Sequence, residues 1–299
     1  MPSDPCEPLQ KQGYQFFSKT SSAALKPCMW CKRALAGGEQ CYKHQFYGID
    51  SHRCVQMTPT LRCNQRCLFC WRSFEHEPAV AEDCLPETIL AGIHKYQKKA
   101  LAGYNAVLDN TVTEERWREA LDPRHVAISL SGEPTLYRQL PELIDLFNST
   151  GYTTFLVSNG TNPAVLRQCH PFQTYVSLDA PDKETYHNVC RPLGDYWDRI
   201  RESLSLLATR RSAVRITLVR GLNDFAPERY AAMIQDSGAT FVEVKGYMYL
   251  GYSRNRLVRE NMPDHAYVRA FAEKVAVACD YRFKDESALS RVVCLERGT

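Results

Sequence analysis

Cys63-Asn64-Gln65-Arg66-Cys67-Leu68-Phe69-Cys70-Trp71 carries three thiols, with three residues between the first two and two between the second pair. One compact loop of this length can aim all three sulfurs at a single inorganic centre. The run before it, His52 to Thr58, reads as a strand, so the triplet leaves a strand's carboxyl end. An iron-sulfur cubane normally takes four cysteines. Three leave one iron open, and an open iron is a place for a substrate or cofactor to bind. A zinc ion completed by a fourth ligand elsewhere is the other chemistry such thiols serve.

Downstream of Asp83 the chain alternates short β-branched runs with longer helical stretches. Further strands are expected at His125 to Ser131, Tyr152 to Ser158, Gln173 to Asp179, Ala213 to Val219 and Ala239 to Val244. Helices are expected near Pro86 to Gly103, Thr113 to Leu121, Pro141 to Ser149, Pro163 to Cys169, Tyr196 to Ala208 and Pro227 to Asp236, with a last one at Asp264 to Cys279 and short strands near Tyr281 and Arg291 to Leu295. Pro at first turns and Gly151 and Gly238 at stops support these bounds. Alternation at this spacing is α/β and predicts parallel strands, in an open sheet or a barrel. Either architecture binds ligands in the loops after the strands.

Those loops carry matching chemistry. Ser131-Gly132-Glu133-Pro134-Thr135, Ser158-Asn159-Gly160, Ser177-Leu178-Asp179 and Gly221-Leu222-Asn223 follow successive strands with hydroxyls, amides and carboxylates. Each alone would be a turn; the recurrence is the signal.

The chain has 299 residues, 44% hydrophobic and 24% charged, with a formal charge of +3, ordinary globular proportions. It shows neither an apolar run of transmembrane length nor a leader pattern, and a soluble, cytoplasmic protein is expected. Seven of the 13 cysteines fall between Cys28 and Cys70. In a reducing compartment clustered thiols point to metal rather than disulfides. The remaining six, Cys6, Cys84, Cys169, Cys190, Cys279 and Cys294, read as small core hydrophobes. Residues 1–72 carry +6 and residues 73–299 carry −3, so the cysteine-rich end is the basic one. Lys26, Lys32, Arg33, Arg53, Arg62, Arg66 and Arg72 there are candidate phosphate partners, and Lys245 to Arg259 interleaves three tyrosines with three arginines, a composition suited to RNA.

Cys28, Cys41 and Cys54 are separated by 12 residues each. This trio, the triplet and the stretches SGEPTLY, VSNGTNP, SLDAP, RITLVRGLND and FVEVKGYMYLGYSRNRL together resemble the wyosine synthase family of the radical S-adenosylmethionine superfamily, in its stand-alone, archaeal-type form, from about Gly13 to Leu295. A zinc knuckle using Cys28, Cys31, Cys41 and Cys54 is the alternative for the second set, since Cys28-Met-Trp-Cys31 has zinc-finger spacing.

The resemblance implies a partial (β/α)6 barrel over residues 52–299, with residues 1–51 as a cysteine-rich extension that contributes to a second cluster. It implies two [4Fe-4S] clusters, one on Cys63, Cys67 and Cys70 and one on Cys28, Cys41 and Cys54. S-adenosylmethionine would use the open iron and the loops at Gly132, Glu133, Pro134, Ser158, Asn159, Ser177, Asp179 and Asn223. The implied reaction is of the carbon-carbon lyase class: it joins the N-methyl carbon of 1-methylguanosine 37 in phenylalanine tRNA to a two-carbon fragment of pyruvate, the co-substrate, giving 4-demethylwyosine. Lys43 is the first candidate for a Schiff base with pyruvate and Lys245 the second; chelation of pyruvate by the second cluster is the competing mechanism. Family members with a fused flavodoxin-like domain carry it before this region, where this chain leaves no room. A separate flavodoxin- or ferredoxin-like donor is therefore expected, with a monomeric enzyme and no membrane. The rivals are a radical enzyme with another substrate and a non-catalytic zinc RNA-binding protein.

Overall fold

The strand before the triplet forms as Cys54–Thr58, starting late because Ser51–Arg53 turn as a 3-10 helix. The computed structural model describes residues 6–74, 83–107 and 111–298. The described residues of 1–62, 77–156 and 169–172 gather into one compact unit, and those of 63–76, 157–168 and 173–299 into a second.

In the first unit, β1 (Gln15–Phe16) pairs antiparallel with β2 (Ala24–Leu25), and β2 antiparallel with β3 (Cys54–Thr58). Next come β4 (His125–Ile128) and β5 (Thr153–Ser158), parallel in register, with Cys54 opposite His125 and His125 opposite Thr153. Val55, Met57, Val126, Ile128, Phe155 and Leu156 are completely enclosed. Parallel strands covered on both faces read as nearly unbroken apolar runs, which is how these were legible. Helices Pro86–Leu101 and Leu140–Ser149 both begin with Pro in the first turn, where the missing N–H costs nothing. Leu143, Ile144 and Phe147 bury one stripe of the second helix, each worth of order 2 kcal/mol.

In the second unit β6 (Gln173–Ser177), β7 (Ser212–Leu218) and β8 (Phe241–Gly246) are parallel. The sheet then turns mixed: β9 (Tyr281–Ser287) pairs antiparallel with β10 (Val292–Arg297), and β10 antiparallel with β8. Asp182 and Asp264 cap the helices Lys183–Cys190 and His265–Val277 by accepting a backbone N–H three residues on. Among the described residues no helix is long and apolar enough to cross a membrane.

The six predicted parallel strands are all present, shifted by no more than two or three residues at their ends. The expected helices start within one residue of the reading, whereas Pro86 to Gly103 and Tyr196 to Ala208 finish as 3-10 turns. Short helices at Met29–Leu35, Tyr42–Tyr47 and Lys183–Cys190 were not anticipated. The first two each begin one residue after a cysteine, and at seven and six residues they are too short for a periodic signal.

Candidate functional site

The triplet runs without regular secondary structure and is held by its neighbours. Arg66 N donates to the carbonyls of Cys190 and Arg191, Leu68 N to Val189, and Leu193 N to Asn64. The Gln65 amide donates to Tyr186 Oη at 2.9 Å, and Gln65 forms a lone antiparallel bridge with Pro192. The loop is thus fixed by the carboxyl end of the unexpected helix Lys183–Cys190. Cys63, Cys67 and Cys70 are each half-buried. The adjacent Cys190 thiol, then burial, push the Cys67 thiol well up. Burial raises Cys70 too, opposed by the guanidinium charges of Arg72 and Arg256. Cys190, read from sequence as core filler, therefore borders the triplet. Nothing in its spacing could have revealed this, because the contact depends on where a helix ends.

In the first unit Cys28 caps the helix Met29–Leu35, its sulfur accepting from Cys31 N at 3.3 Å. Cys41 stands at the position before Tyr42–Tyr47 without a side-chain cap, its sulfur accepting instead from the Ser51 hydroxyl at 3.2 Å. Cys54 opens β3. The three thiols interact electrostatically: burial raises Cys54 first, with Cys28 and Cys41 adding to it, and burial likewise raises Cys28. The positive charge of Lys43 opposes both shifts. Lys43 is only 8% exposed and its Nζ sits 4.8 Å from the centroid of the Phe155 ring. Cys31 is fully enclosed, with its thiol turned to the His52 carbonyl. Burial pushes the Cys31 thiol well up, with Cys28, Cys54 and Cys41 adding to it, so this fourth thiol shares the neighbourhood of the trio. Among the described residues, no three or more His, Cys, Asp or Glu side chains close on a single-ion site. All-sulfur donor sets are the chemistry that iron-sulfur clusters use. Lys245, the other lysine, ends β8 and donates to the Ser290 carbonyl at 2.8 Å.

Gly132 has φ +76°, and a Cβ there would lie 2.1 Å from the Thr60 carbonyl oxygen. Only glycine lets this loop press on the backbone that leads into Cys63. Glu133 N donates to Arg62 O at 2.7 Å, and the buried Glu133 carboxylate accepts from Thr135 N and its hydroxyl. Pro134 opens the turn Pro134–Leu136.

In the second unit Asn159, Ser177 and Asp179 line one cleft together with Gln65, Tyr186 and Cys190. Ser158 uses its hydroxyl to accept from Gly160 N at 3.0 Å. Asn159 accepts from Thr161 and donates to Asn64 Oδ1 at 2.9 Å, linking the triplet to the loop after β5. Asn64 lies inside the motif but was not singled out. Burial lifts the Asp179 carboxyl to about 6, against the Thr217 N–H and the Arg215 charge. Asn223 is fully buried; its amide donates to the carbonyls of Asp179 and Thr217, both at 2.9 Å, and accepts from Val219 N. It fixes the loop that carries Asp179.

The candidate RNA contacts divide. Arg53 is paired with Glu119 and Asp122, and Arg62 with Asp83. Lys26, Lys32 and Arg33 instead line an open concavity with Met29 and Tyr104. Tyr247 is buried and donates to Ser253 Oγ, whereas Arg254 and Arg259 are exposed.

The radical SAM superfamily model matches residues 57–234, and the model described as wyosine base formation matches residues 236–297. The chain is 43% identical to the S-adenosyl-L-methionine-dependent tRNA 4-demethylwyosine synthase of Pyrococcus abyssi, over 99% of this chain and 90% of that one. It is 39% identical to the enzyme of the same name from Methanocaldococcus jannaschii, over 96% and 94%. The solved structure of TYW1 with a lysine-pyruvate adduct bound superposes with a TM-score of 0.89 at 39% identity, covering 99% of this chain and 96% of that one. The fold expected from the sequence, a partial and open α/β barrel, is the fold of these proteins.

Proposed function

Because the chain belongs to the tRNA 4-demethylwyosine synthase family of radical S-adenosylmethionine enzymes, we propose that it condenses the N-methyl carbon of 1-methylguanosine 37 in phenylalanine tRNA with two carbons of pyruvate. In this reading Cys63, Cys67 and Cys70 hold a four-iron cluster, and Cys28, Cys41 and Cys54 hold a second, with residues 1–51 as the extension that supplies two of its ligands. When bound, cluster and S-adenosylmethionine supply the electron and the hydrogen-abstracting group. The protein's task is to hold the reacting carbons together away from water.

The observation that carries the reading is the burial of Lys43, whose charge is felt at the Cys28 and Cys54 thiols. An amine shielded from bulk water can add to the pyruvate ketone, lose water and keep C2 in place while the methyl carbon joins it and C1 departs. The lysine-pyruvate adduct in the structure of the related TYW1 supports this role. Lys245, whose ammonium donates to the Ser290 carbonyl, is the second candidate. Gly132, Glu133 and Pro134 would shape the methionine end of the cofactor site; Ser158, Asn159, Ser177 and Asp179 would face its remaining polar groups, and Asn223 would position Asp179. Electrons would come from a flavodoxin- or ferredoxin-like protein, and the enzyme would act as a cytoplasmic monomer.

Anaerobically reconstituted enzyme, given 1-methylguanosine-containing tRNA, pyruvate, S-adenosylmethionine and reductant, should yield the tricyclic base by nucleoside mass analysis. Lys43→Ala should abolish that product while S-adenosylmethionine cleavage survives. Wild-type product formation in this variant removes Lys43 from the mechanism.

A further inference from the structure

Three consecutive carbonyls, from the last cysteine of the triplet onward, are taken by one turn of the wyosine-forming segment. Arg256 Nη2 donates to the Cys70 carbonyl and, at 3.2 Å, to that of Arg72. Between them, Tyr252 N donates to Trp71 O at 2.9 Å. Gly251 makes this approach possible: at φ +58° a Cβ would stand 2.3 Å from the same Trp71 oxygen. The Arg256 guanidinium lies 4.1 Å from the Phe74 ring centroid. Arg66 does the corresponding work at the start of the loop, donating to Cys63 O at 2.8 Å and lying 5.4 Å from the same ring. Arg254 and Arg259, exposed on either side of Arg256, are available to an RNA backbone.

We infer that the 251–256 turn is a latch in which Arg256 positions Cys70 and mechanically joins an RNA-facing surface to the cluster-bearing loop. The inference rests on the tRNA and cluster readings above. Elementary physics then gives two consequences. A fixed positive charge beside one ligand favours the reduced cluster, because net charge and hydrogen bonding near the sulfurs set its potential. Coupling is also reciprocal, so an RNA that alters the loop must bind the reduced and oxidised enzyme with different affinities.

The test compares wild type, Arg256→Met and Arg256→Lys as full-length, anaerobically reconstituted protein. Iron and sulfide content, the midpoint potential by EPR-monitored titration, and amide hydrogen exchange of residues 67–74 with and without the methylated tRNA are measured. Arg256→Met should shift the potential to more negative values and speed exchange of 71–74 several-fold. In that variant bound tRNA should no longer protect these amides. Arg256→Lys should restore the potential, since the charge returns, but only part of the protection, because an ammonium lacks the guanidinium's two-pronged geometry. Unchanged potential and exchange in Arg256→Met overturns the latch. If that variant cannot retain a cluster, exchange in the cluster-free chains decides: equal rates in Arg256→Met and wild type overturn it. Failure of wild type to bind the tRNA defeats the RNA reading alone, and the RNA-free comparisons then decide whether the latch stands.

Discussion

Asp179 accepts a backbone hydrogen bond from Thr217 and still titrates near 6, because burial outweighs that bond and the nearby Arg215. A carboxyl raised above its ordinary 3.8 contributes stability that is fully present below that value and lost as pH rises through about 6. Asp179→Asn keeps the acceptor and removes the charge. The variant should be the more stable chain at pH 8, by on the order of 2 kcal/mol, and the gap should close towards pH 4.5 in thermal melts of cluster-free protein. A gap that is independent of pH would mean that the charge of Asp179 is not the destabilising element. At this scale the sequence was informative where chemistry follows a strand end, as at Gly132, Ser177 and Asp179. It was silent on the contacts of Cys190 and Asn64 and read Arg256 only as part of an RNA-suited stretch; the partners of these residues lie up to 186 residues away along the chain. Spacing carries no signal for such meetings; only the folded path of the chain creates them.

Lys183–Cys190 is a small helix with a large task. Its cap is Asp182, whose carboxylate accepts from Thr185 N at 2.8 Å and pairs with Arg229 at 3.0 Å. Its far end offers the carbonyls of Val189 and Cys190 to the triplet. Asp182→Ala should cost about 1 kcal/mol, lowering the melting temperature by roughly 2–4 °C. The same change should speed loss of iron to a chelator. A normal rate of iron loss with a lowered melting temperature would show that the helix does not steady the loop. The element was missed because only four of its eight residues are buried, too few to stand out as a periodic stripe. By contrast the parallel strands, buried on both faces, announced themselves, as did helices opened by Pro. Two-residue β1 and β2 lie below what pattern can resolve, whereas the short strands expected near Tyr281 and at Arg291 to Leu295 form as Tyr281–Ser287 and Val292–Arg297.

Across the whole chain the excess positive charge of residues 1–72 is partly neutralised within the fold. Arg53 and Arg62 are paired with Glu119, Asp122 and Asp83, Arg33 reaches Glu39 at 3.9 Å, and Lys26, Lys32 and Arg33 line one open surface. If that surface meets tRNA phosphates, affinity should fall with added salt, and replacing all three residues by Ala should flatten the slope of log affinity against log salt by about 2–3. An unchanged slope would take this surface out of the RNA contact. The charge imbalance was legible in sequence; which cations are spoken for was not, since their acidic partners lie far along the chain. The triplet loop, for its part, takes its shape from Gln65, Arg66 and Arg256 and from the end of a helix, all within the polypeptide. Oxygen that strips the iron should therefore leave the mould intact, and repair in the cell would be a matter of supplying metal and sulfide to a ready vessel, with no need to fold the chain afresh.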